Sequence, residues 1–456
     1  MFSPETYRNR RQLLLSSLHN GLILIMGNIH SPRNYKGNTY PFRQDSNFLY
    51  FAGIDLPGLA LTIDAQSGKA TLYGDDLSLE DTIWTGPQPG LAEWASRSGI
   101  EQVKSSKELL TAIKKTSHIH FLPAYPFERK LFLSEVMALP VSELANRHSI
   151  PLIEAIVQQR SIKSEEEVAQ IEDALNRATG KLHVEAMRMA NAGIYEYEIA
   201  GQIESTMLRN NCTPAYGIIC SVRGEVLHNE YYHNKLETGQ MLLIDAGAEN
   251  AMHYASDLTR TVPVGRRFSS RQKAIYTIVL NALNQSIAAI RPGVPYREIH
   301  LQAARIIATG LKEAGLMKGD INEAVAQGAH ALFFPHGLGH MMGLDVHDME
   351  DLGENYVGYD ATVQRSSQFG TAYLRLARTL QTGFTLTVEP GIYFIPTLIK
   401  MWKNEKKFEA FINYIEVEKY LDFGGIRIED NVLVTEQAGR ILGKPVPKSI
   451  EEIESL

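Results

Sequence analysis

The stretch "PHGLGH" (335–340) carries two histidines four residues apart, with glycines between them. On a helix, that spacing would put His336 and His340 on one face, where both could hold one metal ion. Two glycines in five residues disfavour a helix, because each costs about 1 kcal/mol relative to alanine. The stretch therefore predicts a glycine-rich loop. Its histidines could be a metal pair, one ligand with a helper, or two unrelated residues.

Four apolar, strand-like runs each carry an acidic residue that could join these histidines. They are "QMLLIDAG" (240–247) with Asp245, "YASDLTRTVPV" (254–264) with Asp257, "FTLTVEPG" (384–391) with Glu389, and "GIRIEDNVLV" (425–434) with Glu429. Antiparallel pairing of the first two runs would bring Asp245 and Asp257 together. Alternation along the last run puts Arg427 and Glu429 on one face. We expect the four carboxylates to converge.

Four buried carboxylates repel one another strongly unless cations neutralise them. Two divalent ions balance four carboxylates in formal charge. Four oxygen ligands and one imidazole make a harder donor set than a typical zinc site, which favours Mn²⁺, with Co²⁺ or Zn²⁺ as substitutes. The sequence thus predicts a centre with two divalent metal ions.

Length and composition indicate a two-domain globular protein. The chain has 456 residues, 44% of them hydrophobic, and a net charge of −7, which argues against a nucleic-acid partner. Its two cysteines, Cys212 and Cys220, are predicted to be reduced, buried thiols. No signal peptide or membrane-length apolar run is evident, so we expect a cytoplasmic protein without a membrane partner.

The domain boundary is predicted near residue 160. Residues 1–160 mix helices, the first beginning at Ser3, with strand-like runs at 21–28, 48–54, 59–65 and 118–124, which predicts a smaller α/β domain. Ser164-Glu165-Glu166-Glu167 is a capping-box pattern that opens a long amphipathic helix. The rest, 161–456, mixes helices with hairpin-like strands and is predicted to be an α+β domain.

The ordered set Asp245, Asp257, His340, Glu389 and Glu429 resembles the dinuclear centre of the pita-bread metallopeptidases. Within them, the chain is similar to the proline-specific branch, aminopeptidase P and prolidase. The matching stretches are "LIDAGAE", "SDLTRT", "HGLGHMMGLDVHD", "LTVEPGIY" and "GIRIEDNVLV". "YPFRQDSNFLYFAGI" (40–54) resembles the N-terminal domain of aminopeptidase P, and the segment from "YLRLARTLQ" (373–381) onward looks closer to prolidases. The resemblance implies a C-terminal pita-bread catalytic domain.

This resemblance also implies a role for each site residue. Asp257 and Glu429 would bridge the two ions, Asp245 would chelate one of them, and His340 and Glu389 would complete the other. Three further histidines match pocket positions: His336 and His228 line the substrate pocket, and His347 supports the tetrahedral intermediate. His228 departs from the pattern in its surroundings, because Asn229 replaces the usual tyrosine and His233 lies nearby.

The implied reaction is hydrolysis of the Xaa-Pro bond at a peptide's N-terminus, by a hydroxide held between two ions. Glu389 would carry the proton to the leaving nitrogen, and Arg427 would hold the bridging carboxylates. The Asp245-to-Asp257 spacing is one residue longer than in the family. We place the extra residue near 249–251, at the tip of the hairpin.

Substrate length divides the family between dipeptidases and aminopeptidases. Arg375 matches an arginine that reads the free carboxylate of a dipeptide, and residues 348–380 could form a lid that carries it. The N-terminal domain favours aminopeptidase P instead, and implies a homodimer or homotetramer in which a neighbour walls the active site. The sequence interpretation prefers dipeptide substrates, with aminopeptidase action on longer peptides as the alternative.

Two functions outside this reaction are less consistent with the sequence. A peptide-binding module that had lost catalysis would be expected to lack metal ligands, whereas all five are present. Creatine-type C–N hydrolysis or initiator-methionine removal on the same scaffold is disfavoured by "GIRIED" and "HGLGHMMGLDVHD".

Overall fold

The chain folds into two compact units, Met1–Arg160 and Ser161–Leu456. The structure, a computed structural model, describes residues 1–456. None of its helices combines the length and apolar character that crossing a membrane requires. Cys212 and Cys220 are buried free thiols, as predicted.

The first unit is built on a five-stranded mixed sheet. The strands of this unit are β1 (Leu22–Met26), β2 (Pro32–Tyr35), β3 (Asn38–Thr39), β4 (Ala60–Asp64), β5 (Ala70–Tyr73), β6 (Gln102–Lys104) and β7 (Ile119–Phe121). The helices of this unit are α1 (Pro4–Leu15), α2 (Ser46–Ala52), α3 (Leu79–Thr85), α4 (Leu91–Arg97), α5 (Ser106–Lys114), α6 (Phe127–Met137), α7 (Val141–Leu144) and α8 (Ile150–Ser161). The sheet order is β6-β5-β4-β1-β7, and β2 and β3 form a separate hairpin. The pairs β1–β4 and β4–β5 are antiparallel, whereas β1–β7 and β5–β6 are parallel.

One predicted strand is wrong: residues 48–54 lie in helix α2 and the turn that ends it. The Asp45 side chain accepts the Phe48 N–H at 2.9 Å and caps the helix, and Gly53 ends it with φ +66°. Every residue of α2 is buried. An apolar run that is buried on all sides shows no periodicity, so sequence alone does not separate a helix from a strand there.

The second unit carries the longer helices and four small sheets. Its helices are α9 (Glu165–Ala174), α10 (Gly180–Met189), α11 (Glu196–Arg209), α12 (Ser270–Ala289), α13 (Tyr296–Glu313), α14 (Ile321–Gln327), α15 (Glu354–Val357), α16 (Pro396–Asn404), α17 (Tyr414–Val417) and α18 (Ile450–Glu454). Its strands are β8 (Thr213–Pro214), β9 (Ile219–Ser221), β10 (Met241–Asp245), β11 (Ala248–Glu249), β12 (Thr259–Pro263), β13 (Thr385–Val388), β14 (Gly391–Tyr393), β15 (Gly425–Arg427), β16 (Asp430–Val434) and β17 (Gly439–Ile441).

The predicted long helix after residue 164 is confirmed. The Ser164 side chain caps α9 in a capping box with Glu167. A π-helical turn at Leu175–Thr179 joins α9 to α10, which ends at Met189. Short 3₁₀ turns occur at Ala329–Leu332, Glu350–Leu352, Thr371–Tyr373 and Glu418–Tyr420.

Two antiparallel sheets of this unit bring together the strands that carry the acidic residues. The first has the order β12-β10-β9 and the second β13-β16-β17. The two sheets connect where the Glu429 N–H, just before β16, donates to the Thr259 carbonyl of β12 at 3.1 Å. Next to this contact, Thr261 Oγ1 of β12 donates to the Arg427 carbonyl of β15 at 2.9 Å. The acidic ends of β10, β13 and β16 therefore face a common region.

Candidate metal centre and active site

Strand register places the four acidic residues in two pairs. In β10 and β12, Asp245 lies opposite Thr259, two residues beyond Asp257, which confirms the predicted antiparallel pairing. In β13 and β16, Val388 lies opposite Asp430, so Glu389 and Glu429 flank the end of that ladder. All four carboxylates thus lie where these strands end.

The glycine-rich loop runs along β13 and delivers His340. The Glu389 N–H donates to the Leu338 carbonyl at 2.8 Å, and the Thr387 N–H donates to the His340 carbonyl at 3.0 Å. A Cβ on Gly339 would lie 2.0 Å from the Thr387 carbonyl oxygen, so only glycine permits this approach. That contact explains one glycine of the "PHGLGH" stretch.

The closest group of possible metal ligands is Asp257, His340 and Glu429. Their ligand atoms lie within 4.8 Å of one another, and all three side chains are buried. His340 Nδ1 donates to the Met341 carbonyl at 2.9 Å, which leaves Nε2 facing Asp257 Oδ2 at 3.3 Å and Glu389 Oε1 at 3.8 Å. His340, rather than His336, therefore has the geometry of a ligand.

Asp245 joins this group through Tyr216, which the sequence interpretation missed, and through Arg427, which that interpretation had assigned to Asp257 and Glu429. The Tyr216 hydroxyl contacts Asp245 Oδ1 at 2.6 Å and also Asp257 Oδ1. Arg427 donates to the other Asp245 oxygen. The turn between the two aspartates lies near Asn250, whose side-chain oxygen accepts the Met252 N–H, and Asp257 still faces the site.

Burial and mutual repulsion shift the pKa values of the carboxyls in the metal-free protein. Burial raises the pKa of Glu429 well above its usual value, and Asp257 and Glu389 raise it further. Burial also raises the pKa of Glu389 to about 7 and that of Asp245 above its usual range. The charge of this cluster is therefore unbalanced without a cation.

Asp257 and His340 behave as an ion pair. Burial opposes the charge on each, but their mutual bond outweighs it, so the pKa of Asp257 is lowered and that of His340 is raised to about 9. Binding a cation at His340 Nε2 would release this proton.

The residues present fit a divalent metal centre. Glu429 Oε1 is buried and has no hydrogen-bond partner, although Thr259 Oγ1 donates to Oε2 at 2.7 Å. A buried carboxylate oxygen without a donor is costly, and a cation would satisfy it. Four carboxylates and one available imidazole nitrogen are a donor set suited to divalent metal ions.

Arg427 and Tyr393 connect the carboxylates to His336. Arg427 Nη1 donates to the Tyr393 hydroxyl at 2.9 Å, and that hydroxyl lies 2.8 Å from His336 Nε2. His336 Nδ1 donates to the Gly337 carbonyl at 2.7 Å. Burial lowers the pKa of His336 to about 3. His336 is thus a neutral imidazole with both ring nitrogens engaged.

All ten predicted site residues line one cavity of about 440 Å³. They are Asp245, Asp257, His340, Glu389, Glu429, Arg427, His336, His347, His228 and Arg375. His228 lies on the wall whereas His233, stacked on Tyr231, does not. The ring of His347 lies 4.2 Å from that of His340, and its Nδ1 lies 3.3 Å from Glu350 Oε2.

Arg375 lies on the cavity wall with its charge already paired. Its Nη1 bonds Glu350 Oε2 and lies 3.4 Å from Glu354 Oε1. Within residues 348–380, for which an insertion stays a prediction, Tyr359, Val363, Leu374 and Ala377 form a small buried core.

Sequence reasoning missed Tyr216, Tyr393, Thr259 and Glu350. Tyr393 lies in "LTVEPGIY" and Thr259 in "SDLTRT". Both motifs carry the family resemblance, but the resemblance assigned no role to either residue. Tyr216 lies in "PAYG", which carries no pattern that points to the site. Its role depends on contacts with residues 29 and 41 positions away.

A buried cluster of carboxylates and imidazole at the floor of an open cavity is the architecture of a metal-dependent hydrolase. The sequence profile of Metallopeptidase family M24 matches residues 170–436, and that of the Aminopeptidase P, N-terminal domain, matches residues 7–120. The chain belongs to metallopeptidase family M24, in its proline-specific pita-bread branch. The predicted fold class and the enzyme class, a proline-specific metallo-exopeptidase, are confirmed.

Relatives of known description extend this similarity over nearly the whole chain. A probable Xaa-Pro aminopeptidase of Phaeosphaeria nodorum is 35% identical over 426 residues, 91% of this chain and 87% of that protein. One of Aspergillus fumigatus is 32% identical over 425 residues, covering 91% and 88%.

Solved structures give the same result. Escherichia coli aminopeptidase P with the inhibitor Pro-Leu superposes with a TM-score of 0.81 at 29% identity, covering 100% of this chain and 98% of that chain. Proline aminopeptidase P II from Yersinia pestis gives 0.81 at 30% identity, covering 100% and 99%.

Proposed function

We propose that this protein is an Xaa-Pro aminopeptidase, which releases the first residue of peptides that have proline in the second position. The observation that carries the proposal is the convergence of Asp245, Asp257, His340, Glu389 and Glu429 on one cavity. Four buried carboxylates favour bound cations, and relatives that align with 91% of this chain are described as probable Xaa-Pro aminopeptidases.

We further propose that two divalent ions would be held by these five residues: as the family resemblance implies, Asp257 and Glu429 would serve both ions, Asp245 one of them, and His340 and Glu389 the other. Such ions would supply Lewis acidity, polarising the scissile carbonyl and lowering the pKa of the attacking water. The oxygen-rich donor set favours Mn²⁺. Arg427 holds Asp245 in place, and Thr259 holds Glu429.

Glu389 is proposed to move the proton. A carboxylate beside the proposed metal centre, with Oε1 3.8 Å from His340 Nε2, can accept a proton from the attacking water and return it. It would pass that proton to the proline nitrogen, which has no N–H of its own in the substrate. His347 and His228 would contact the substrate from the wall, and His336 would shape the pocket.

The sequence-based preference for dipeptides gives way to the aminopeptidase alternative. A dipeptide reader needs a free guanidinium for the terminal carboxylate, whereas Arg375 is paired with Glu350 and Glu354. The relatives also carry the aminopeptidase description. Dipeptide cleavage stays the second candidate, because Arg375 does lie on the cavity wall.

A homo-oligomer is proposed as well, as the family resemblance implies. Helix α3 supports it: none of its residues is buried, and Ile83 and Trp84 are 74% and 80% exposed. The cytoplasmic location stays a prediction.

The proposal is tested by incubating Mn²⁺-loaded protein with Ala-Pro-Ala-Ala and Ala-Ala-Ala-Ala and identifying the products by mass spectrometry. We expect alanine and Pro-Ala-Ala from the first peptide, little cleavage of the second, and loss of activity on chelation. Equal cleavage of both peptides, or cleavage at an internal bond, would contradict the proposed specificity.

A further inference from the structure

The turn after His347 is held rigidly from several directions. The Glu350 N–H donates to the His347 carbonyl at 3.3 Å, and buried Met349 between them has φ +65°, which a non-glycine residue seldom adopts. Asp348 forms an ion pair with Lys163 at 2.8 Å, and both side chains are only 1% exposed. Strained backbone of this kind persists only where its surroundings impose it. The Glu350 side chain therefore has a defined position beside the histidine.

The Glu350 carboxylate contacts two cavity residues through one oxygen. Its Oε2 lies 3.3 Å from His347 Nδ1 and also bonds Arg375 Nη1. Its Oε1 is buried and has no hydrogen-bond partner. Burying a carboxylate oxygen without a hydrogen-bond partner costs stability, so packing does not explain a glutamate at position 350.

We propose that Glu350 is a positioning residue for His347. This inference rests on the proposed function. A carboxylate only accepts hydrogen bonds, so its contact fixes the proton on Nδ1 and the orientation of the ring. Nε2 is then the ring nitrogen left for the substrate. The same oxygen also bonds Arg375, so the Glu350 carboxylate connects that arginine to His347.

Glu354 provides a matched control. It lies 3.4 Å from the same Arg375 nitrogen and 2.7 Å from Arg365, but it has no contact with His347. If Glu350 served only to hold Arg375, loss of either carboxylate would have a similar effect. If Glu350 acts through His347, the two variants differ.

Kinetics of Mn²⁺-loaded variants with Ala-Pro-Ala separate these roles. We expect Glu350→Ala to lower kcat about 10-fold, the scale seen when the carboxylate partner of a functional histidine is lost, with KM changed less. Glu350→Gln, which keeps an acceptor, should recover part of that loss, and Glu354→Gln should lose far less. The double variant Glu350→Ala, His347→Ala should match His347→Ala alone. Additive losses in the double variant would overturn the proposal.

A second measurement does not depend on turnover. In ¹⁵N-histidine-labelled protein, the His347 signals are assigned by their absence in His347→Ala, and the ¹⁵N shifts show which ring nitrogen carries the proton. We expect a protonated Nδ1 in the wild type and in Glu354→Gln, and a mixture in Glu350→Ala. An unchanged spectrum in Glu350→Ala would refute the positioning role. The expected spectra without any Xaa-Pro cleavage would contradict only the proposed function.

Discussion

At the scale of single residues, Tyr216 holds together two carboxylates that would otherwise repel each other. Its hydroxyl contacts both Asp245 and Asp257, and burial raises its own pKa well above the usual value, so it remains a hydrogen-bond donor. Cations would neutralise the same pair. Tyr216 should therefore matter most when the metals are absent.

We predict that Tyr216→Phe lowers the free energy of unfolding of the metal-free protein by about 2 kcal/mol, the usual loss for a hydrogen bond to a charged group. The loss should be smaller with Mn²⁺ bound. Urea unfolding with and without chelator measures both. The control is Tyr276→Phe, which removes a buried bond to the Lys448 carbonyl. The loss of stability in Tyr276→Phe should be the same with and without metal. An equal loss with and without metal in Tyr216→Phe would contradict the proposed role of Tyr216.

Glu429 provides the residue-scale test of the metal centre. Glu429→Gln keeps the shape but removes the charge at the oxygen that has no partner. Loss of an outer partner of a metal ligand costs about 10–100-fold, so loss of a ligand should cost more than about 100-fold in kcat/KM. Metal analysis by mass spectrometry should show fewer than two bound ions. Full metal content with normal turnover in this variant would show that Glu429 is not a metal ligand.

Sequence reasoning could find the five proposed ligands because each lies at one end of a strand or in a glycine-rich loop, within a motif that resembles the family pattern. It could not find Tyr216 or the Arg427–Tyr393–His336 connection, because these depend on contacts between residues far apart in the chain. The pairing of Arg375 with Glu350 was equally invisible, and that pairing is one reason why we propose an aminopeptidase instead of the dipeptidase that the sequence interpretation preferred.

At the scale of elements, the loop at 335–340 and strand β13 form a single ligand-bearing unit. Backbone bonds from Glu389 and Thr387 to this loop fix His340 beside Glu389. The sequence predicted a loop rather than a helix here because of the glycine content, and the close approach of Gly339 to β13 gives the structural reason.

Gly339→Ala should separate the loop from β13, because its Cβ would collide with the Thr387 carbonyl oxygen. We expect weaker Mn²⁺ binding by calorimetry and a lower Tm. Gly201→Ala, in helix α11 with open space around the new Cβ, is the control and should stabilise the protein by up to about 1 kcal/mol. Normal metal affinity in Gly339→Ala would show that the contact does not position His340.

The fold was predictable where periodicity and caps were clear, as in the helix that begins after Ser164. The error at 48–54 arose because all of α2 is buried, so an apolar run without alternation resembled a strand. Tertiary surroundings, rather than local pattern, decide the structure of such a segment.

At the scale of the whole molecule, the metal centre links stability to pH. Burial raises the pKa of Glu389 to about 7 in the metal-free protein, so the folded state holds that proton more tightly than the unfolded chain. Its contribution to stability therefore falls as pH rises from about 4.5 through about 7. His340 acts in the same direction. Its bond to Asp257 outweighs burial and raises the pKa of His340 to about 9, so the stability that protonated His340 contributes is lost as pH rises through that value.

We predict that the difference in Tm between metal-loaded and metal-free protein widens from about pH 5 to about pH 8, because bound cations neutralise the carboxylates that repel each other at high pH. Scanning calorimetry at several pH values measures this difference. Comparing the two forms cancels the acid sensitivity of buried histidines elsewhere, such as His300 and His330. A constant difference across that range would contradict coupling between the centre and global stability.

The most direct test of the proposed aminopeptidase activity is the ratio of kcat/KM for Ala-Pro-Ala to that for Ala-Pro, measured with the Mn²⁺-loaded protein. An Xaa-Pro aminopeptidase in which Glu350 and Glu354 pair with Arg375 Nη1 should cleave the tripeptide at least about 10-fold more efficiently, because the carboxylate of a dipeptide would have to compete with two glutamates for that arginine. Efficient cleavage of Ala-Pro with little action on Ala-Pro-Ala would contradict the account and make the protein a dipeptidase in which Arg375 reads the substrate.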